Sequence, residues 1–420
     1  MPSSEKATLK SESNLPSGAW MVVGLLCVVG CLNYLDRTMI TTMRTSIVQA
    51  MPMSDAQFGL LTSVFLWVYG LLSPFAGFLA DHFNRSRVII VSLFIWSAVT
   101  WLTSYATTFE ELLATRVLMG VSEACYIPAA LALIVDYHKG ATRSLASGIH
   151  IAGIMVGQSL GFVGGWIAEK HTWNAAFSVF GSFGVAYAVI LLLLLKDAPK
   201  TEKIINETDQ PRVNFFEAVK SLFSEKSFIL LSIFWAFLGI IGWMVAGWIP
   251  TYYQEHFKLS QGMAGLYATG YLYPASIVGV ILGGFLTDRW GKRNPHSQIY
   301  IPVIGLCIAA PCIFIASYTD VLPLAIVMFM AYGLTRMFSD ANIMPILCVS
   351  ADSRYRATGY GILNLFACII GGASVYAGGV LRDMHVDLGR IFQSAAVLMI
   401  LCVGLLYLIK KEAATKPERL

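Results

Sequence analysis

The residues best suited to chemistry in this sequence are four charged side chains inside long apolar runs. Asp36 and Arg37 are adjacent in the run 20–40, and Arg116 and Glu123 lie seven residues apart in a later run. A charge at the centre of a bilayer costs on the order of 3 kcal/mol by insertion scales, so such residues normally face a protein interior or a water-filled cavity. Carboxyls in such a place can carry protons, which predicts proton coupling by Asp36 and Glu123. Guanidinium groups can hold an anion, which predicts that role for Arg37 and Arg116.

Two structural explanations compete with this prediction. Asp36 and Arg37 could reach the headgroups from the end of their helix, or the charges could form an ion-pair network that only assembles the bundle. Arg116 and Glu123 stand two helical turns apart, about 10 Å, so they cannot pair with each other. We therefore expect Glu123 to have no cation within its own turn, and Asp36 to be the acid beside a fixed cation, Arg37.

The composition is that of a membrane protein. Hydrophobic residues make up 56% and charged residues 13% of the 420 positions, against about 25% charged residues in an ordinary soluble domain. The sequence predicts an all-α membrane protein with twelve transmembrane helices. The predicted spans are 20–44, 56–80, 87–107, 110–136, 142–168, 174–195, 228–254, 262–287, 298–317, 321–350, 355–380 and 390–409.

The basic residues predict the orientation of these spans. Most of them fall in the N-tail, the even-numbered connections and the C-tail, which places both termini in the cytosol by the positive-inside rule. Residues 1–19 contain no apolar segment followed by a cleavage site, so no signal peptide is expected. The eight cysteines include no CxxC pair, which argues against disulfides and metal sites. The odd-numbered connections hold only Arg44, Lys170, Lys258, Arg382 and Arg390.

A long charged stretch, 196–226, divides the twelve runs into two sets of six. It is expected to be a cytosolic linker with a short amphipathic helix near 214–223. Gly77 and Asp81 recur in the second set as Gly284 and Asp288, and duplicated halves around a central cavity are a transporter architecture. The predicted units are an N-tail 1–19, a six-helix bundle 20–195, the linker 196–226, a second six-helix bundle 227–410 and a C-tail 411–420.

Two acidic loops follow apolar helices, GFLADHFNRSR at 77–87 and GGFLTDRWGKR at 283–293. Each acid can cap a helix of the opposite half or pair with its arginine. Such pairs would form only when the cytosolic side is closed, which predicts a cytosolic gate; alternatively, the loops only set topology. In this gate Asp81 would pair with Arg354 or Arg356, and Asp288 with Arg143. The predicted gate residues are Asp81, Arg85, Arg143, Asp288 and Arg356.

The two loops resemble the signature loops of the major facilitator superfamily, although Asn84 replaces the usual glycine of the first loop. The stretches 116–130, 142–177 and 248–266, together with NYLDR at 33–37, resemble its anion:cation symporter branch. This branch contains bacterial sugar-acid permeases and animal organic-anion carriers. The resemblance covers nearly the entire chain.

The resemblance implies roles for particular residues. Asp36 and Glu123 match the protonatable acids of the branch. Its anion-binding and coupling arginines are matched by Arg37 and Arg116. Aromatic residues of the sugar-acid site are matched by Tyr34 and Tyr69, and amide contacts by Gln158 and Asn364, although either amide could instead join two helices.

Two residues fall outside the pattern of the branch. Arg336 stands at the repeat equivalent of Glu123, and Asp340 follows one turn later. A pair between them is the favoured explanation, but a free Arg336 would give a second contact for an anion. His150 could titrate near neutral pH, although a hydrogen-bonded structural histidine is the preferred interpretation.

The resemblance implies a secondary transporter that imports an organic anion, such as a hexonate or hexuronate, together with protons by alternating access. It further implies a multi-pass protein of a bacterial inner membrane, a monomer that needs no cofactor beyond the coupling proton and binds no nucleic acid. NYLDR and the FNR triplet at 83–85 also resemble lipid-exporting spinster proteins, which predicts an exporter of an amphipathic lipid or drug as the alternative; residues 248–266 argue against it. A sensor on a transporter scaffold is the alternative of another class. An enzyme is not expected, since no nucleophile and base pair, metal set or phosphate loop is present.

Overall fold

The computed structural model of the protein describes residues 15–138, 142–199, 215–294 and 296–413, leaving aside the side chains of residues 74, 76–82, 353, 357 and 413. This part of the chain contains 12 helices that are long and apolar enough to cross a membrane, which confirms the prediction. Their bounds are α1 Ala19–Thr42, α2 Asp55–His82, α3 Arg85–Thr103, α4 Phe109–Tyr137, α5 Arg143–Lys170, α6 Trp173–Leu194, α7 Lys226–His256, α8 Gln261–Gly291, α9 Ser297–Tyr318, α10 Leu322–Ser350, α11 Arg356–Asp383 and α12 Leu388–Ala413.

The helices form because each run is apolar and because a helix satisfies its own backbone hydrogen bonds, which lipid cannot do. Local sequence fixes where some of them begin. At the start of α4, the Thr108 hydroxyl accepts a hydrogen bond from the backbone N–H of Glu111, and the Glu111 carboxylate accepts one from the backbone N–H of Thr108. This reciprocal cap satisfies two N–H groups that the first turn leaves without partners.

Three of the spanning helices are interrupted. The first part of α4 ends at Glu123 and the second begins at Tyr126. Helix α5 breaks between Ser159 and Phe162, and α8 contains a π-helical turn, Leu266–Tyr271. Breaks and π-helical turns inside membrane helices often mark functional sites.

Two shorter α-helices accompany the spans in the described residues, Arg44–Ala50 after α1 and Phe215–Ser224 before α7, and a 3₁₀-helical turn, Ser353–Tyr355, precedes α11. The second matches the amphipathic helix predicted near 214–223, with Ala218 and Leu222 buried and Phe216 exposed. Residues 1–14, 200–214 and 414–420 of the predicted tails and linker lie outside the described residues, so the division of the chain into those units stays a prediction.

The first six spans and the last six meet mainly along α2 against α11 and along α5 against α8. We call the end that holds the connections after odd-numbered helices the outer end, and the opposite end the inner end, following the orientation predicted from the basic residues. Hydrogen bonds between the halves run from the outer end to mid-depth, where Trp67 Nε1 donates to the Ile369 carbonyl at 3.0 Å. Among the described side chains, no hydrogen bond or ion pair joins the halves at the inner end. The halves are therefore held together at the outer end in this state.

Close packing of α1 against α5 depends on glycine. A Cβ atom at Gly157 would overlap the Cys31 carbonyl of α1, and one at Gly153 would lie 2.9 Å from the Cys27 carbonyl oxygen.

We expect Gly157→Ala to destabilise the protein by roughly 1–3 kcal/mol through overpacking, seen as a lower melting temperature in detergent. Gly148→Ala on the same helix is the control, because nothing lies within 4 Å of a Cβ there. Equal melting temperatures for the two variants would contradict this contact between α1 and α5.

Candidate functional site

A cavity of about 230 Å³ lies between the two halves. Both halves contribute charged and aromatic side chains to its wall. The structure places at this wall six of the residues predicted to contact an anion, namely Tyr34, Arg37, Tyr69, Gln158, Arg336 and Asn364. Their shared location makes this central cavity the candidate substrate site.

Arg37 links the cavity to the acids behind it. Its Nε donates a hydrogen bond to Glu123 Oε2 at 2.7 Å, with the two side chains 3% and 0% exposed. The guanidinium carbon lies 4.5 Å from the ring centre of Tyr34, 4.9 Å from that of Phe65 and 4.3 Å from that of Tyr69. These three rings hold the cation in place by cation–π contact. Among the described residues its Nη2 has no hydrogen-bond partner, so donor capacity remains for an anion.

Glu123 ends the first part of α4 and has its counter-charge on another helix. As expected, no cation lies within its own turn, and the fold instead brings Arg37 of α1 to it. The expectation that Asp36 is the acid beside Arg37 is wrong for the folded protein, where the two side chains point in different directions. Adjacent residues on a helix point about 100° apart, and Arg37 turns toward Glu123.

Asp36 faces α3 instead, where the Thr100 hydroxyl donates to its Oδ2 at 3.1 Å. Its Oδ1 has no partner among the described residues, and neither does Oε1 of Glu123 or either amide atom of Asn33. Buried polar atoms are normally satisfied by protein or by ordered water. We therefore expect this region, which we call the acid chamber (Asn33, Asp36, Thr100, Arg116 and Glu123), to hold water.

Arg116 does not occupy the place predicted for it. It is 2% exposed, it is absent from the wall of the central cavity, and its guanidinium lies 5.4 Å from the ring centre of Phe177. It interacts electrostatically with both Asp36 and Glu123. In this state it is therefore a cation of the acid chamber, and contact with an anion in the central cavity is not available to it.

Arg336 supplies a cation to the cavity from the second half. Its Nη1 donates to Asp340 Oδ2 at 3.1 Å, as the favoured structural interpretation predicts, and its Nη2 donates to the Leu238 carbonyl at 3.3 Å. It still lines the cavity, and its Nε has no partner among the described residues. The cavity thus has a guanidinium group on each side.

His150 does not line the central cavity. It is buried, with its ring edge-on against that of Tyr126 at 5.8 Å between ring centres.

Among the side chains that the structure describes, no pairing of the predicted cytosolic gate is formed. Arg85 pairs with Asp136 of its own half, and Arg356 donates to the Cys348 carbonyl at 3.0 Å. Within the described part of the chain no ion pair joins Arg143 to Asp288. The side chain of Asp81 lies outside the described residues. Because the gate would form only with the inner end closed, its pairings stay a prediction.

The structure shows a cluster of charges at the outer end that sequence reasoning missed. Arg382 of α11 donates from Nε to Asp55 Oδ2 at 3.0 Å, and from Nη1 and Nη2 to Glu255 at 2.9 and 2.8 Å. Arg44 pairs with Asp55 and lies 3.6 Å from Glu255 Oε1. Asp383 accepts from the backbone N–H groups of Asp55 and Ala56 at 2.9 and 3.0 Å, which caps α2. The residues of this outer cluster are Arg44, Asp55, Glu255, Arg382 and Asp383.

The outer cluster joins the two halves, since Arg44 and Asp55 belong to the first half and the other members to the second. Sequence reasoning counted Arg44 and Arg382 only toward orientation. The available signal was that they are two of the few cations in the odd-numbered connections and that an acid, Asp383, stands beside Arg382. Such a cluster stabilises the state that is closed at the outer end.

Removing the central cation of the outer cluster should open that end. In a variant without the eight native cysteines, with Ala246→Cys as a reporter in the cavity wall, we expect Arg382→Gln to raise outer-side labelling by an impermeant maleimide about five-fold, from a loss of ~1 kcal/mol. Arg390→Gln, an exposed cation at the same end, is the control. Unchanged labelling in Arg382→Gln would contradict a gating role for the cluster.

The sequence is similar to those of several known proteins. Protein spinster homolog 3 from Danio rerio is 27% identical over 402 residues, covering 91% of this chain and 80% of that protein. Protein spinster homolog 1 from Xenopus laevis is 27% identical over 383 residues, covering 86% of this chain and 73% of that protein.

Solved structures share the fold. A bacterial homolog of the human lysosomal transporter Spinster, in an inward-facing and unoccupied conformation, superposes with a TM-score of 0.81 at 23% identity, covering 96% of this chain and 99% of that one. A second structure of a bacterial homolog of that transporter, in an inward-facing and occupied conformation, gives a TM-score of 0.72 at 23% identity. The family model of the Major Facilitator Superfamily matches residues 26–375. The protein therefore belongs to the Major Facilitator Superfamily and is a transporter rather than an enzyme.

Proposed function

We propose that the protein is a proton-coupled transporter of an organic anion that works by alternating access. The observation that carries this proposal is the ion pair between Arg37 and Glu123. Arg37 stands at the cavity wall, and the acid to which it binds at 2.7 Å lies behind it and is fully buried. A substrate anion and a proton-carrying acid thus share one cation.

Competition for Arg37 explains the coupling. An anion that binds Arg37 weakens its bond to Glu123, and a buried carboxylate without a counter-charge is strongly unfavourable. Glu123 then takes up a proton, which neutralises it. Binding of the anion therefore favours binding of the proton, and by thermodynamic reciprocity the proton favours the anion. This linkage is what symport requires.

Asp36 is the second acid of the scheme. Its carboxylate has one hydrogen bond, from Thr100, and interacts with Glu123 and Arg116 electrostatically. Neutralising Glu123 removes a like charge from its surroundings. We propose that Glu123 passes its proton to Asp36 and that Asp36 releases this proton toward the inner side. Glu123, again a carboxylate, then restores its pair with Arg37 and so expels the anion.

The cavity wall supports an amphipathic anion as the substrate. Beside the two guanidinium groups, the second half contributes large apolar and aromatic side chains. These are Trp235, Leu238, Trp243, Leu272 and Met337. Such a wall suits an acidic head attached to an apolar body. The similarity to spinster proteins supports the alternative named from the sequence, an exporter of an amphipathic lipid or drug, better than it supports sugar-acid import. An amphipathic substrate is common to that alternative and to this cavity wall.

A sugar acid remains the second candidate, because of the size and polarity of the site. Ligand cavities usually measure about 300–1,000 Å³, and this one measures about 230 Å³. Gln158, Asn364, Tyr34 and Tyr69, which carry amide and hydroxyl groups, also line the cavity. These groups could bind the hydroxyls of a hexonate or hexuronate.

The wider setting of the transporter is part of the proposal. The distribution of basic residues supports cytosolic termini. We propose a bacterial plasma membrane as its location, a monomer as its working form and the proton as the coupling ion, with no further cofactor.

The substrate class can be tested by uptake into proteoliposomes. One panel holds hexonates and hexuronates, and the other holds single-chain anionic amphiphiles, each assayed with and without a pH gradient. We expect accumulation of an amphiphile that a gradient increases about ten-fold per pH unit for each proton carried. Accumulation of sugar acids alone would select the second candidate, and transport that no gradient changes would contradict proton coupling.

Glu123→Gln separates coupling from transport. The neutral amide imitates the protonated acid, so we expect substrate exchange across the membrane to persist while accumulation driven by a pH gradient is lost. Counterflow and gradient-driven uptake measured side by side provide the test. Glu110→Gln, an exposed acid on the same helix, is the control and should retain both. Full accumulation by Glu123→Gln would remove this residue from the coupling scheme.

A further inference from the structure

A second cavity, of about 620 Å³, opens between α3 and α4 on the outside of the bundle. Apolar side chains from both helices form its walls, with Val91 and Ile95 on α3 and Leu118 and Val121 on α4. All four are exposed in the protein alone, so they face lipid in a membrane. This α3/α4 groove is separate from the central cavity, with which it shares no lining residue.

The dimensions of the groove fit one leaflet of a bilayer. Its lining on α3 runs from the N-cap residue Asn84 to Ile95, which at about 1.5 Å per residue is roughly 16 Å. That is about half of a hydrocarbon core of roughly 30 Å. Since α3 begins at the inner end, the groove spans the inner leaflet and stops near mid-depth.

The inner mouth of the groove is polar and positively charged. Asn84 and Arg87 line it, and both are exposed. Arg85 is occupied by its ion pair with Asp136, whereas Arg87 makes no ion pair with any side chain that the structure describes. A guanidinium group at headgroup depth above an apolar groove complements a lipid phosphate above an acyl chain. The cytosolic leaflet supplies such acidic lipids.

We propose that the α3/α4 groove is a binding site for an acidic phospholipid of the inner leaflet, with one acyl chain between the helices and the phosphate on Arg87. The site borders the acid chamber. Ser92 on α3 donates a hydrogen bond to the carbonyl of Ser122 on α4, next to Glu123. Thr100, which holds Asp36, lies farther along α3. A lipid in the groove therefore supports the spacing between α3, which carries the Thr100 partner of Asp36, and α4, which carries Glu123.

Photo-crosslinking can show whether the acyl chain occupies the groove. The protein is reconstituted in phosphatidylcholine nanodiscs that contain a trace of phosphatidylglycerol with a diazirine in its acyl chain, and crosslinked peptides are mapped. We expect labelling on the groove-lining segments of α3 and α4 that Val91→Trp abolishes, because the indole fills the groove. Leu118→Trp obstructs it from the other wall. Val179→Trp, a lipid-facing position on α6, is the control and should label as the wild type does.

The proposed contact between Arg87 and the lipid phosphate is tested by comparing two lipids. Because one arginine near the surface contributes about 1 kcal/mol toward an acidic lipid, we expect groove labelling to favour phosphatidylglycerol over an equally labelled phosphatidylcholine by roughly five-fold. Arg87→Gln should remove the preference, and Arg293→Gln, an exposed cation at the same end, should keep it. Equal labelling by the two lipids in the wild type, or unchanged labelling in both tryptophan variants, would each overturn the proposal.

Discussion

The buried ion pair between Arg37 and Glu123 is the interaction on which the rest of the site depends. Two charges in a low-dielectric interior are stable only together, and removing one partner of such a pair typically costs about 3–5 kcal/mol. The surroundings enforce the pairing, since Tyr34, Phe65 and Tyr69 pack on the guanidinium and Glu123 ends a helix segment. An anion in the central cavity can therefore reach Arg37 at low cost only if Glu123 becomes neutral. The proposed proton coupling rests on this single constraint.

The fold brings these groups together and limits what they can do. Glycines of α5 let α1 pack closely against it, which fixes the position of the helix that carries both Asp36 and Arg37. The outer cluster holds the halves together at one end, while the inner end lacks such contacts among the described side chains. In this state the acid chamber and the cavity lie between a closed outer end and the inner side, as the proposed release of substrate and proton to that side requires.

Much of this arrangement could be predicted from the sequence, and there is a physical reason why the rest could not. Apolar run length predicts the twelve helices, because a bilayer sets the length that a helix needs. The cavity position of Tyr34, Arg37 and Tyr69 agrees with the resemblance. The partner of Arg37 could not be predicted, because helix–helix packing decides whether Glu123 or the adjacent Asp36 faces it. The contacts of Arg116 and of the outer cluster could not be predicted for the same reason, since they join helices that are distant in the sequence.

The central claim is that the substrate anion displaces Glu123 from Arg37 and that Glu123, without its counter-charge, then takes up a proton from the solvent. Infrared difference spectroscopy of the reconstituted protein, recorded as the anion identified by uptake is added, measures this directly. The account predicts a new band of a protonated carboxyl group in the wild type and in Asp36→Asn, and its loss in Glu123→Gln. The absence of any such band when the wild type binds substrate, or its persistence in Glu123→Gln, would contradict the account.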